Sequence, residues 1–184
     1  SGVLLRNPVR VEVNPVSSTA EKINQTIMYV DRAQKKDLLK FILQKEESKK
    51  VIVFTRTKHG ANRVTEGLER SGIPSAAIHG NKSQGARQRA LEDFREGKIQ
   101  VLVATDIAAR GIDVDGITHV INYEMPNVSE SYVHRIGRTA RAGSEGSAIS
   151  LVDLEERAYV RDIERLIGFQ IPIDETHPYH SKNV

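Results

Sequence analysis

Four short apolar runs set the narrowest limit on what this 184-residue chain can fold into: VIVFT (51–55), VLVAT (101–105), THVINY (118–123) and AISLV (148–152). Each is too short for a helix and rich in β-branched residues. Unbroken apolar character of this kind belongs to strands covered on both faces, as in a parallel sheet. INQTIMYV (23–30) and SAAIH (75–79) are weaker strand candidates. Amphipathic segments at helical period lie between them: Gln34–Glu46, His59–Ser71, Gln84–Glu96, Ser129–Ile136 and Leu154–Ile167. Alternation of strand and helix predicts an α/β domain with a mainly parallel sheet and helices on both faces. Ligands of such domains gather outside the carboxyl ends of the strands, which directs attention to the loops that follow each run.

Composition narrows the rest. Cysteine is absent, so no disulfide framework or thiol nucleophile is available, and a cytoplasmic setting is the natural expectation. Lys and Arg together number 27 against 24 Asp and Glu, a net charge of +3, so any grip on an anion depends on placement rather than on the total. No apolar run reaches membrane-spanning length, and no membrane partner is expected. Ser1-Gly2 opens the chain without a methionine and reads as an expression scar on a piece of a longer protein. Residues 1–20, with Pro8 and Pro15 around VRVEV, read as a linker; 21–168 form the domain. The stretch 169–184, with two prolines and no periodicity, is expected to be an irregular, poorly ordered tail.

The loops carry the chemistry. HGNKSQGAR (79–87) has the glycine spacing of a P-loop at Gly80 and Gly85, but Ala86 and Arg87 stand where the Lys and Ser/Thr for phosphate and Mg²⁺ are needed. The chain therefore has no nucleotide cradle of its own. The same turn still opens a helix whose first N–H groups suit an anion, beside Lys82, Ser83, Gln84 and Arg87; Ser83 as a plain N-cap is the competing reading. VIVFTRTKHG (51–60) ends its strand on hydroxyls and cations, including Thr57, suited to phosphate or to capping the next helix. In TDIAARGID (105–113), capping accounts for Thr105 or Asp106, Arg110 and Gly111, with Gly111 in the left-handed exit. It does not account for Asp113 and Asp115, and a carboxylate there is a natural acceptor for ribose hydroxyls.

YVHRIGRTARAG (132–143) spaces Arg135, Arg138 and Arg141 three apart, a placement that brings three phosphate-binding guanidiniums together on a helix or tight turn. His134 beside them is expected to be a structural hydrogen-bonding residue. His177 and His180 lie in the tail with no third metal ligand in view, no metal site is expected, and no serine occupies a nucleophile elbow.

Taken in order, VIVFTRTK, IHG with Gln84-x-x-Arg87, VLVATDIAARGID and YVHRIGRTARAG resemble the carboxyl-terminal RecA-like domain of DEAD-box RNA helicases, over about Ile23 to Leu166. The tone of VINYEMPNVSESYVHRIGRTARAG is similar to bacterial RhlE-like members. The resemblance implies a three-layer α/β/α domain of RecA type. It implies that Arg138 and Arg141 reach the ATP γ-phosphate in trans as arginine fingers, and that Asp113 contacts the ribose. It implies RNA-backbone contacts at Thr57, Gly80, Gln84 and Arg87, and at Thr105, Asp106, Arg110 and Gly111, the latter set also coupling RNA to the ATP site. His134 and Arg135 would link the finger motif to the domain interface, with Arg135 structural. ATP with Mg²⁺ would be held mainly by an amino-terminal RecA-like partner domain, and this half alone would be inactive. Ala140 departs from the family's usual glycine. A non-catalytic RNA-binding or adaptor module of the same fold is the alternative, and a DNA helicase of the same superfamily a third.

Overall fold

A computed structural model describes residues 19–45, 50–139 and 146–182. The linker up to residue 18, Ala140, Arg141 and Gly143 lie outside the described residues. Six strands alternate with helices: β1 (Asn24–Tyr29), α1 (Lys35–Lys45), β2 (Val51–Phe54), α2 (Lys58–Arg70), β3 (Ser75–Ile78), α3 (Gln84–Arg95), β4 (Val101–Ala104), α4 (Asp106–Ala109), β5 (His119–Asn122), α5 (Ser129–Ile136), β6 (Ser147–Val152) and α6 (Arg157–Ile167). A single 3₁₀ turn over Leu154–Glu156 leads into α6.

The strands form one sheet in the order β1-β6-β5-β2-β4-β3, and every pairing is parallel. The four strongest apolar runs occupy the interior of that order. β1 and β3, whose sequence signals are weak, are its two edges. An edge strand is covered less completely than a central one, so polar residues such as Asn24 and Ser75 are tolerated there. Gln25 is buried in β1 only because it is bonded, donating to the Ala20 carbonyl (2.7 Å) and accepting from the Tyr132 hydroxyl (2.6 Å).

Alternate residues of each strand feed opposite layers, as the two-residue period requires. Val51, Val53, Val101, Val103 and Ile121 pack with α1 and α2 on one face. Ile52, Phe54, Leu102, Ala104 and Val120 pack with α3 and α4 on the other, where Ile27, Tyr29, Ala148 and Val152 meet α5 and α6. The expected three-layer arrangement is thereby built. None of its described helices is long and apolar enough to cross a membrane.

The tail departs from expectation. It has no helix or regular strand of its own, yet it packs along the exposed edge of β1. Ile27 N–H donates to Pro172 (2.8 Å), Asp174 N–H to Ile27 (2.9 Å) and Ser181 N–H to Tyr29 (3.2 Å). Ile171, His177 and Ser181 are buried. Backbone groups of an edge strand need partners, and an aperiodic segment supplies them as well as a strand does. Sequence periodicity cannot see this, because the bonds follow the shape of β1 and not a repeat in the tail.

Candidate functional site

The loops leaving β2, β3, β4 and β5 open on the same edge of the sheet, at the carboxyl ends of the strands. Thr57 follows β2 and is the N-cap of α2. Its Oγ1 accepts from Gly60 N–H (3.0 Å), and the residue is exposed. Ser83 caps α3 by accepting from Ala86 N–H (3.1 Å), which leaves Gln84 exposed at the first turn. Gly80 is exposed, and a Cβ placed there would meet nothing within 4 Å, so the approach to its backbone is open. The 79–82 turn is fixed from beneath by His79. Its Nδ1 accepts from Asn81 N–H (3.2 Å), so the ring proton lies on Nε2, which pairs with Asn62 Oδ1 (3.0 Å). Burial, and then Lys82, Lys58 and His59, hold this imidazole below its ordinary value of 6.5 and keep it neutral.

Arg87 projects from α3 toward α4 and donates from Nη2 to the Ala108 carbonyl (3.1 Å). Thr105 occupies the N-cap position of α4, but its hydroxyl makes no capping bond, unlike those of Thr57 and Ser83. Capping therefore does not explain Thr105. Arg110, at the other end of α4, is exposed. Gly111 has φ +78, the left-handed conformation expected of it, and the turn it makes presents Asp113 on the exposed side.

Arg135 and Arg138, equivalent by spacing, do not act alike. Arg135 is only 1% exposed. Its Nε and Nη2 grip Asp106 with the two-toothed geometry that suits a carboxylate (2.7 and 2.9 Å), and its Nη1 donates to Asn122 Oδ1 (3.1 Å) and the Glu124 carbonyl (2.6 Å). Four of its five N–H donors are thus committed, while its guanidinium lies 5.1 Å from the centre of the Phe54 ring. Asp106, expected among the RNA-contacting residues, turns its carboxylate to Arg135. The pair ties the loop after β4 to α5. Arg138, one turn beyond Arg135, is half-buried and donates from Nη1 to the Ile112 carbonyl (3.0 Å), which sets it against the loop that presents Asp113. His134, expected to be hydrogen-bonded, is exposed and makes no hydrogen bond among the described residues. It lines a cleft of about 200 Å³ with Asp106, Arg110, Ser131 and Arg138.

One cluster at this edge was not singled out in the sequence. Lys35, buried at the start of α1, donates to Glu156 Oε1 (2.6 Å) and the Tyr123 carbonyl (2.9 Å), with Asp153 at 3.5 Å. Glu156 Oε2 accepts from Met125 N–H (2.8 Å), and Arg56 approaches both Glu156 (3.4 Å) and Glu124 (3.7 Å). Asp153-x-x-Glu156 is a capping box, visible as such in the sequence. Its second use as the buried anchor for Lys35, 121 residues away, has no local signature.

A single parallel sheet covered on both faces, with hydroxyl, backbone N–H and guanidinium groups gathered at the strands' carboxyl edge, defines a RecA-like α/β domain. Residues 33–143 match the helicase conserved C-terminal domain, and the chain belongs to the carboxyl-terminal RecA-like domains of DEAD-box RNA helicases. The ATP-dependent RNA helicase DbpA of Bacillus subtilis is 43% identical over 167 residues, covering 91% of this chain and 35% of that protein. The chain thus spans about a third of the length of that relative. Among solved structures, the Escherichia coli DEAD-box protein SrmB bound to regulator of ribonuclease activity A is 37% identical with a TM-score of 0.80, over 88% of this chain and 95% of that one. Saccharomyces cerevisiae Dbp5 bound to RNA and ADP BeF3 is 29% identical with a TM-score of 0.79, over 93% of this chain and 45% of that one.

Proposed function

We propose that this chain is the second RecA-like half of an ATP-dependent RNA helicase, supplying arginine fingers and part of the RNA-backbone site to a cleft completed by an amino-terminal partner domain. The observation that carries the reading is the unequal fate of Arg135 and Arg138. Arg135 is buried and committed to Asp106, Asn122 and Glu124, whereas Arg138 is half-buried and reaches the Ile112 carbonyl, next to Asp113. A phosphate oxygen is a better acceptor than a carbonyl, because the bond is then charged at both ends. A γ-phosphate presented by the partner domain would compete with the Ile112 carbonyl for Arg138 Nη1. Arg141 is assigned the same role by its place in the motif. Asp113 would accept from the ribose hydroxyls.

These residues fit the phosphate and ribose of ATP. In this reading Mg²⁺ would be held with the ATP phosphates by the partner domain. The bound ATP would supply the phosphoryl transfer; Arg138 and Arg141 would stabilise the charge on it, a contribution on the order of 10³–10⁵ in rate where fingers have been measured in GTPases.

Thr57, Gly80, Gln84 and Thr105 offer hydroxyl, amide and backbone groups along one edge, a set that reads phosphate and ribose without base identity. Arg87, Arg110 and Gly111 are assigned to the same strand of RNA. Asp106 would act through Arg135, so that a shift of the Thr105 loop on RNA moves α5 and the fingers with it. Closure of the two domains over ATP and single-stranded RNA would bend one strand and release the other.

In the parent protein, Arg138→Ala and Arg141→Ala should each lower ATP turnover far more than ATP affinity, measured by steady-state hydrolysis and by nucleotide titration. Undiminished turnover in both variants removes the finger assignment. ATP hydrolysis by this chain alone would refute the placement of the P-loop in the partner.

A further inference from the structure

A groove of about 450 Å³ runs between α1 and α2, starting at the carboxyl edge beside Arg56 and Gly60 and ending at Arg70 and Ser71. Its lining holds seven cationic side chains against three carboxylates. Two of those carboxylates, Glu124 and Asp153, already face Arg56 and Lys35. Lys36 and Lys40 on one wall, and Arg63 and Arg70 on the other, form no ion pair among the described residues. A chain with a net charge of only +3 has thus concentrated unpaired cations in one place. Like charges brought together cost free energy unless something neutralises them.

The α2 wall has a second peculiarity. Gly60 and Gly67 stand two turns apart on the face that lines the groove. Glycine inside a helix is less stable than alanine by about 1 kcal/mol. At Gly60 a Cβ would crowd Thr57 Oγ1 at 3.2 Å, an internal reason for glycine. At Gly67 a Cβ would meet nothing within 4 Å, so no part of this chain requires its absence. The groove floor there is bare backbone, open to close approach from outside. At the mouth lies Tyr123, its phenol pushed up to about 12 by burial and by Glu124 and therefore neutral.

We propose that this groove carries the continuation of the single-stranded RNA held at the carboxyl edge, its phosphates running along α2 over Gly67 between Lys36 and Lys40 on one side and Arg63 and Arg70 on the other. The inference rests on the RNA reading given above. Continuity favours it: Arg56 and Gly60, on either side of Thr57 in the chain, both line the groove. The aromatic ring among cations also suits a nucleic acid, whose bases stack and whose phosphates pair, better than an acidic peptide, which needs cations alone.

The test is fluorescence anisotropy of this chain with oligouridylates of about six nucleotides, enough for the edge alone, and about twelve, enough for edge and groove. Two variants are compared: Arg63→Glu with Arg70→Glu, and Gly67→Leu, which fills the floor without changing charge. Wild type should bind the longer strand about fiftyfold tighter, since several surface ion pairs add to a register multiplicity that alone gives under about tenfold. Its log–log salt dependence should be steeper by about 1.4 for two further phosphates. Both variants should fall back to the register gain and keep the affinity for the short strand. A gain no larger than the register factor in wild type, or one that survives in both variants, overturns the groove and leaves the edge reading standing. Failure of wild type to bind the short strand overturns the edge reading, and the groove with it. Binding of poly-L-glutamate that the charge-reversed variant loses, without an RNA length gain, would assign the groove to an acidic polypeptide and overturn the proposal.

Discussion

Replacing Arg135 with methionine should destabilise the domain by about 4 kcal/mol, and about half of that loss should trace to Asp106. Two charge-assisted hydrogen bonds join the pair. Such bonds contribute about 1.5–3 kcal/mol each when desolvated. Arg135 is buried, but the Asp106 side chain is 38% exposed, so water screens one end and roughly half of that survives, about 2 kcal/mol. Loss of Nη1 strands the Asn122 oxygen and the Glu124 carbonyl, at about 1 kcal/mol each. Methionine fills much of the volume beside Phe54, so the cavity contribution is small. For a domain of this size 4 kcal/mol corresponds to a fall in Tm of about 8–16 °C. A double-mutant cycle isolates the pair: Arg135→Met, Asp106→Ala and the double variant, each unfolded in urea with circular dichroism as the readout. The expected coupling is about 2 kcal/mol, with the double variant less damaged than the sum of the singles. A coupling near zero would show that Asp106 does not hold Arg135 in solution, and the mechanical link between the Thr105 loop and the arginine helix would fall.

Lys35→Met should cost about 3 kcal/mol by urea denaturation, because Glu156 would remain buried with, among the described residues, only Arg56 as a cation at 3.4 Å; a loss under about 1 kcal/mol would show that the cluster is hydrated. Gly67→Ala should stabilise the domain by about 1 kcal/mol, whereas Gly111→Ala, at φ +78, should destabilise it by about 1–2 kcal/mol, and thermal melts of the two variants should move in opposite directions. Acid should weaken the fold below pH 6.5. Burial lowers the folded-state pKa of both His79 and His177, so the unfolded chain takes up protons first, and the stability these rings contribute is present above their ordinary value of 6.5 and is lost as pH falls below it. Urea midpoints at pH about 7.5 and about 5 should show the loss, and His79→Gln should reduce it.

The interior strands were legible in the chain because burial on both faces leaves an unbroken apolar run, a property of four or five neighbouring residues. The helices were legible for the same reason, their periods being local, and their observed ends shift by no more than a residue or two except at α6, where a 3₁₀ turn over Leu154–Glu156 comes first. Ser83 and Thr57 declared themselves as caps by position. The edge strands β1 and β3 were faint because an edge permits polar residues. Spacing alone did not rank the arginine run: the family resemblance set Arg135 apart as structural, and the fold shows it buried on Asp106 while Arg138 is half-buried.

Sequence alone therefore determined the α/β class, the order of elements and the lack of a P-loop in this chain, since each is written in short stretches of the chain. Tertiary structure decided the rest. It brought Asp106 to Arg135 across 29 residues and Glu156 to Lys35 across 121, laid the tail along β1, and set α1 beside α2 to make a basic groove from cations that look scattered in the sequence. The physical reason is the same in each case. Secondary structure follows from contacts between near neighbours, whereas the partner of a buried charge is chosen by whatever the folded sheet places within reach.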